Sequence, residues 1–239
     1  MWISRTGILA SSGAKSTLLN GLVSIYKAES NANDSFASNN GTAVGGLTYT
    51  TGQSGDAFSL NGTNALVTLP NNMMSNQTFS YSAWVRYNNI STGEAYIVTA
   101  TNGNVGAINY GTAFGILSGQ LVLGIYDNNA GTAWRVSSGV LLANTWYHVA
   151  VTKVAGVAPK FYINGVLQGT TLIVGTNNAT LSYSGGSYPN SLCSIGAYKY
   201  NNGSTIYGYT NGRIDETYIY SRELTQAEVT ELQTKYYPF

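Results

Sequence analysis

A strict two-residue alternation of side chains, broken at intervals by Asn and Gly, constrains this chain more than any other feature. In Phe79, Ser80, Tyr81, Ser82, Ala83, Trp84 and Val85 the period places Phe79, Tyr81, Ala83 and Val85 on one face and Ser80, Ser82 and Trp84 on the other. A one-residue slip would bury the serines, so the alternation also sets register. In the run from Lys160 to Leu167, Asn164-Gly165 lies between two apolar segments, the signature of a type I′ hairpin. Turn signals recur every 8 to 12 residues or so, as in a sandwich or barrel. The strand candidates are 22–27, 56–60, 64–69, 78–87, 94–100, 112–117, 120–126, 132–138, 146–154, 159–163, 166–173, 191–198 and 212–220.

Composition agrees with this reading. Charged residues make up 9% of the 239, hydrophobic residues 44% and aromatics 12%, so a core can be filled while Asn, Ser, Thr and Gly supply the polar surface. No repeat and no shift of composition marks a second domain. The expected division is an arm or tether over residues 1–20 and one sandwich over 21–239. The period changes at the C-terminus, where Leu224, Thr225, Gln226, Ala227, Glu228 and Val229 spell a capping box (Thr225 with Glu228) flanked by a Leu224–Val229 staple. The helix is expected to run to about Lys235, with Val229, Leu232 and Tyr236 on the face that packs against the sandwich.

Several partner classes are set aside by the same counts. Eleven Lys and Arg are scattered through a chain of net charge +1, with no basic stripe for nucleic acid. No run of about 18 apolar residues exists to form a membrane-spanning helix. Cys193 is the only cysteine, and Leu192 and Ile195 beside it point to a buried thiol. The first twenty residues do not read as a signal peptide. Synthesis in a cytoplasm without ordinary secretion, followed by release at a virion or other extracellular surface, is the expected route; a cytoplasmic protein or a trimmed chain fits the same residues.

The order of motifs resembles the laminin-G-like, concanavalin A-like lectin and glucanase superfamily over about 22 to 235. The residues that carry the resemblance are Gly21 to Tyr26 with Asn33, Asp34, Ser35, Gly41 and Thr42; Gly55 to Gly62; Ala83, Trp84, Val85; Thr145 to Val151; Tyr162 to Gly165; Ser194, Ile195, Gly196; and Gly212 to Tyr220, closing on Leu224 and the capped helix. The resemblance implies an all-β fold, an antiparallel two-sheet β-sandwich (jelly roll) with a short C-terminal helix, and ligand contacts made by loops or a concave sheet face. It also implies a structural Ca²⁺ held by an early and a late aspartate, positions that Asp34 and Asp215 match, together with backbone carbonyls. The alternative for the same residues is an Asx turn at Asp34 and a strand-end acceptor of backbone amides at Asp215.

Glycosidases on this fold need two carboxylates facing one bond. The ten acidic residues form no such alternating pattern, and the adjacent Asp215 and Glu216 would point to opposite faces of a strand. His148, the only histidine, is expected to be packed or hydrogen-bonded on a sheet. Sugar recognition would instead use an aromatic face against a pyranose ring. The candidate platforms are Tyr110, Tyr126, Trp134, Tyr183, Tyr188, Tyr207 and Tyr209, each of which has the alternative of packing on its strand neighbours. The function expected is a non-catalytic recognition module for carbohydrate or another host-surface ligand, carried on a phage particle. The runner-up is an assembly protein of a virion or cell surface, joined to other virion proteins through the N-terminal arm. A hydrolase with displaced carboxylates at Glu94 or Asp127 comes third.

Overall fold

The computed structural model describes residues 16–70, 77–90, 93–102, 110–127, 130–137, 139–176, 192–200 and 205–238. A 3-10 turn, Thr17–Leu19, precedes the strands β1 (Leu22–Tyr26), β2 (Thr42–Val44), β3 (Thr48–Thr51), β4 (Asp56–Asn61), β5 (Leu66–Thr68), β6 (Phe79–Tyr87), β7 (Glu94–Asn102), β8 (Tyr110–Leu117) and β9 (Gln120–Asp127). There follow β10 (Ala130–Val136), β11 (Tyr147–Lys153), β12 (Lys160–Ile163), β13 (Val166–Gln168), β14 (Thr170–Val174), β15 (Ser194–Ile195), β16 (Tyr198–Tyr200), β17 (Thr205–Tyr207), β18 (Asn211–Tyr220) and the helix α1 (Gln226–Leu232).

Two antiparallel sheets form the sandwich. One runs β13-β12-β11-β6-β18-β4-β3, with β1 also paired to β18; the other runs β14-β10-β9-β8-β7-β15-β5-β2. The inward faces meet as the alternation requires: Phe79, Tyr81, Ala83 and Val85 of β6 pack with Ile97, Phe114, Leu121, Leu123, Ile125, Trp134 and Ile195 of the opposite sheet. The Asn164-Gly165 hairpin has φ of 48° and 72°, positive at both central positions as a type I′ turn needs. Cys193 is buried.

The outward face of the first sheet is not a solvent face. Helix α1 lies across it, and Ile25, Ala150, Tyr162, Tyr218 and Tyr220 form a second core with Leu18, Leu224, Val229 and Leu232. The capping box is formed as expected, although the helix ends at Leu232 rather than near Lys235. Beneath it Ser80 and Ser82 are fully buried, which corrects the expectation that only a slipped register would bury them. Ser80 is used as a fastener: its Oγ accepts from the Leu224 amide at 3.0 Å and donates to the Arg222 carbonyl at 2.8 Å. Ser82 Oγ bonds His148 Nε2 at 2.8 Å, and burial holds that imidazole down at about 4.

Residues 16–20 belong to the domain body rather than to an arm. Leu18 is buried, Thr17 Oγ1 donates to Glu228 at 2.6 Å, and Arg222 grips both the Thr17 carbonyl and the Glu228 carboxylate. Two other expectations change. The single strand expected over 166–173 divides at Gly169 into β13, on the first sheet, and β14, on the second, so this segment crosses between layers. Strands β2, β3 and β17 were not anticipated, since they are short and half-exposed and lack an apolar alternation.

Candidate ligand-binding groove

The outward face of the second sheet, unlike that of the first, has no helix across it among the described residues. Strand register places Ala113, Gly115, Val122, Gly124, Tyr126, Gly131 and Ala133 together on it, because Ala113 pairs Gly124, Gly115 pairs Val122, Gly124 pairs Ala133 and Tyr126 pairs Gly131. Small residues in adjacent strands make a trough, and the trough is a cavity of about 270 Å³. One wall is Ile173 and Val174 at β14. The other is aromatic and is built by the β16–β17 ribbon folding over β7.

That ribbon is tied down by hydrogen bonds that explain why Thr99 and Thr101, on the outward face, are nonetheless buried. Thr99 Oγ1 bonds the Ala197 carbonyl at 3.2 Å, Thr101 Oγ1 the Lys199 carbonyl at 3.3 Å, and Thr210 Oγ1 the Tyr96 carbonyl at 2.7 Å. The ribbon so placed brings four tyrosines together, with ring centroids of Tyr96 and Tyr198 at 5.4 Å, Tyr126 and Tyr198 at 5.6 Å, and Tyr198 and Tyr207 at 5.0 Å. These separations suit offset aromatic packing. Tyr198 is buried within the cluster, whereas Tyr207 is 38% exposed and Tyr126 is half-buried. Tyr96 donates its hydroxyl to Glu94 Oε2 at 2.6 Å; burial, then the neighbouring Tyr126 and Glu94, push its ionisation far above the ordinary tyrosine range. Among the described residues lining the groove, Glu94 is the only charged one.

The glycines of the floor differ in what they are for. At Gly115 a Cβ would run into the Ala95 carbonyl of β7, so close strand approach alone requires glycine there. At Gly131 the nearest atoms to a Cβ would be Tyr126 ring carbons at 3.8 Å, an ordinary contact, and at Gly124 they would be the same ring at 3.3 Å. Neither residue has a positive φ. Glycine inside a strand sacrifices stability and often marks a place where something approaches the backbone; at 131 neither a positive φ nor crowding among the described residues demands it.

The aromatic candidates divide. Tyr126 and Tyr207 join the groove cluster. Tyr209 lines a second, polar cavity of about 160 Å³ that shares Glu94 with the groove. Trp134 is corrected: it points inward, is fully buried in the sandwich core, and has the Lys153 ammonium 5.6 Å from its ring, so no ligand reaches it. Tyr110 opens β8 with its side chain outside the described residues, and Tyr183 and Tyr188 lie outside them altogether. Of the carboxylates considered for hydrolysis, Glu94 lines the groove and the side chain of Asp127 lies outside the described residues. Gly124 and Gly131 were missed in the sequence; a glycine inside an alternating strand run was the signal available.

The two aspartates considered for calcium sit in different surroundings. Asp34 accepts the amides of Ile25 and Phe36 at 3.0 Å each on Oδ1 and of Asn39 at 3.2 Å on Oδ2. N–H dipoles converging on a carboxylate stabilise it as a turn anchor. Asp215 accepts Gln53 and Ser54 amides at 2.7 and 2.9 Å on Oδ2, while its buried Oδ1 has no hydrogen-bond partner. Burial pushes Asp215 up to about 6 and the neighbouring Glu216 up to about 7. The strict face alternation expected for this pair is interrupted by a bulge, with Glu216 at φ 46°. Among the described residues no group of three or more His, Cys, Asp or Glu side chains is arranged to hold a metal.

No helix among the described residues is long and apolar enough to cross a membrane. No curated protein matches the sequence. Among solved structures the chain is similar to Domain 4 of AbnA, a GH43 extracellular arabinanase from Geobacillus stearothermophilus, in complex with arabinotriose: 23% identity, TM-score 0.66, 89% of this chain and 98% of that one. It is also similar to the binding domain of Paraclostridial Mosquitocidal Protein 1 (19% identity, TM-score 0.64, 90% of this chain and 52% of that one). The binding domain of botulinum neurotoxin serotype C1 matches with 20% identity, TM-score 0.63 and the same coverage, so the chain spans about half the length of either toxin domain. A family model described as the concanavalin A-like lectin/glucanases superfamily matches residues 61–230, more than half the chain. This antiparallel sandwich therefore belongs to the concanavalin A-like lectin/glucanases superfamily.

Proposed function

We propose that the chain is a non-catalytic glycan-binding module and that the groove on the outward face of the second sheet is its binding site. The observation that carries this reading is the floor: Gly131 keeps a hollow open beneath Tyr126 where the protein's own packing would accept a side chain. A shallow trough with aromatic edges and one carboxylate acceptor suits a sugar, whose ring carbons pack on an aromatic face while its hydroxyls need acceptors. A hydrolase would need a second carboxylate across the bond, and Glu94 is alone among the described lining residues. The fold's similarity to a domain in complex with arabinotriose supports an oligosaccharide as ligand. A virion or other extracellular surface is part of the same proposal, because that is where such a module meets host glycans; other virion proteins would be reached through residues 1–15. The calcium proposal keeps Asp34 and Asp215, with Asp215 Oδ1, which has no hydrogen-bond partner among the described residues, as one ligand.

A glycan array followed by calorimetry tests the binding site. Tyr126→Ala should weaken the affinity roughly tenfold, the usual cost of truncating an aromatic anchor, with the fold intact by circular dichroism. Unchanged affinity in that variant, or an array with no hits, would contradict the assignment.

A further inference from the structure

The polar cavity beside the groove is unlike it in chemistry. Gly62, Tyr87, Asn89, Gly93, Glu94, Tyr209 and Asn211 are among its lining residues, so amides and phenols replace the aliphatic floor. It is adjacent to the groove at one residue: Glu94 lines both. The carboxylate is exposed, and only its Oε2 is engaged, by Tyr96. A carboxylate offers about four acceptor positions over two oxygens, so Glu94 retains acceptors for hydroxyls arriving from either side.

A second, independent feature lies at the same place. Tyr87 belongs to the main sandwich core, is 2% exposed and also lines this cavity, and among the described residues its hydroxyl has no hydrogen-bond partner. Buried phenols normally find a partner, and an ordered water held beside one would supply it. Asn211 is fixed in place, its Oδ1 taking a hydrogen bond from Asn88 Nδ2 at 2.9 Å and its backbone paired to β4. Preorganised amides of this kind lose little entropy when a ligand arrives. At Gly93, which also lines this cavity, no described atom lies within 4 Å of where a Cβ would stand.

We propose that the two cavities are successive subsites of one cleft: an aromatic one for the first sugar, a polar one at Asn89, Tyr209 and Asn211 for the next, with Glu94 at the joint accepting hydroxyls from both. The ligand is then an oligosaccharide of two or more units recognised along its length rather than a single terminal sugar. This inference rests on the glycan-binding reading of the groove and extends it to a site that reading does not use.

Size ladders of arabinan, cellulose and laminarin oligosaccharides, from one to six units, would be titrated into the whole chain by calorimetry. For the ladder that binds, affinity should rise roughly two- to tenfold on going from one unit to two or three, the range of one or two net hydrogen bonds. Tyr209→Ala should remove that gain while leaving the single-unit affinity unchanged, and Asn89→Ala, at an exposed lining residue, should remove part of it. Tyr126→Ala should instead weaken every length. An affinity independent of length, or a Tyr209→Ala effect equal at all lengths, would overturn the two-subsite cleft and leave the groove standing. Binding of none of the ladders, together with an empty glycan array, would overturn the groove reading and this inference with it.

Discussion

The two sheets present outward faces made by the same strand alternation but finished in opposite ways. On the first, large residues such as Tyr162, Tyr218 and Tyr220 stand outward and are sealed by α1 and the 16–20 turn, so the face is a second core. On the second, outward positions hold Ala113, Gly124, Gly131 and Ala133, and among the described residues the β16–β17 ribbon alone covers part of it. Side-chain size, not polarity, separates them. An apolar face too bulky to leave wet recruits a cover, while a face of glycine and alanine leaves a hollow that exposes little apolar area when empty. The covered face should therefore govern stability and the open one binding.

The largest expected effect comes from breaking the cover. Leu232, fully buried between α1 and the sheet, should cost about 3 kcal/mol on change to Ala. Urea unfolding would measure that loss, and the remaining folded protein should bind with unaltered affinity. A matching loss of binding in the folded fraction would show that the two faces are not independent.

Next comes pH, and its sign follows from three buried groups of the first sheet. Asp215 and Glu216 are raised to about 6 and about 7 and His148 is lowered to about 4, all chiefly by burial. Between about pH 4.5 and 6 the folded state keeps two carboxyl protons that the unfolded chain releases and lacks one imidazole proton that the unfolded chain binds. It therefore carries about one extra proton, and stability should rise by about 1.4 kcal/mol per unit as pH falls through this window. Below about 4.5 the trend should reverse, because Glu228 is held at about 2, chiefly by Arg222, and its stabilisation is lost as the unfolded carboxylate protonates first. Chemical denaturation from pH 7 to 3 in the presence of a chelator would check the maximum. If Asp215 holds Ca²⁺, adding the ion at pH 7 should raise the melting temperature in the native chain and not in Asp215→Asn.

Thr225→Ala removes the helix cap and should cost about 1 kcal/mol, again without touching the groove. Thermal melts would report it, and a change in sugar affinity would break the separation of faces.

What was legible in the sequence was local. Asn164-Gly165 and the Thr225–Glu228 box each complete their geometry within a few residues, and the alternation in β6 fixed which residues face the main core. What was not legible depends on neighbours far along the chain. Trp134 and Ala133 lie on opposite faces of β10, and the alternation does not say which face is inside; the bulky side chain filled the core and the small one was left outside. The groove floor is written only in the cross-strand pairing of Gly124 with Ala133 and Tyr126 with Gly131. Its aromatic wall needs a ribbon from residues 198–207 to return over Tyr96. The burial of Ser80 and Ser82 was hidden for the same reason, since their cover comes from 140 residues downstream.

The smallest expected change in stability is also the most direct test of the central claim. In Gly131→Val the new side chain enters the groove beside Tyr126, at a position with no positive φ where the described residues leave room for a Cβ. Calorimetry and thermal unfolding on this one variant should show glycan binding lost with the melting temperature unchanged or slightly raised. Full affinity in Gly131→Val would contradict the assignment of the groove, and a large fall in melting temperature would contradict the claim that the glycine is there for a ligand.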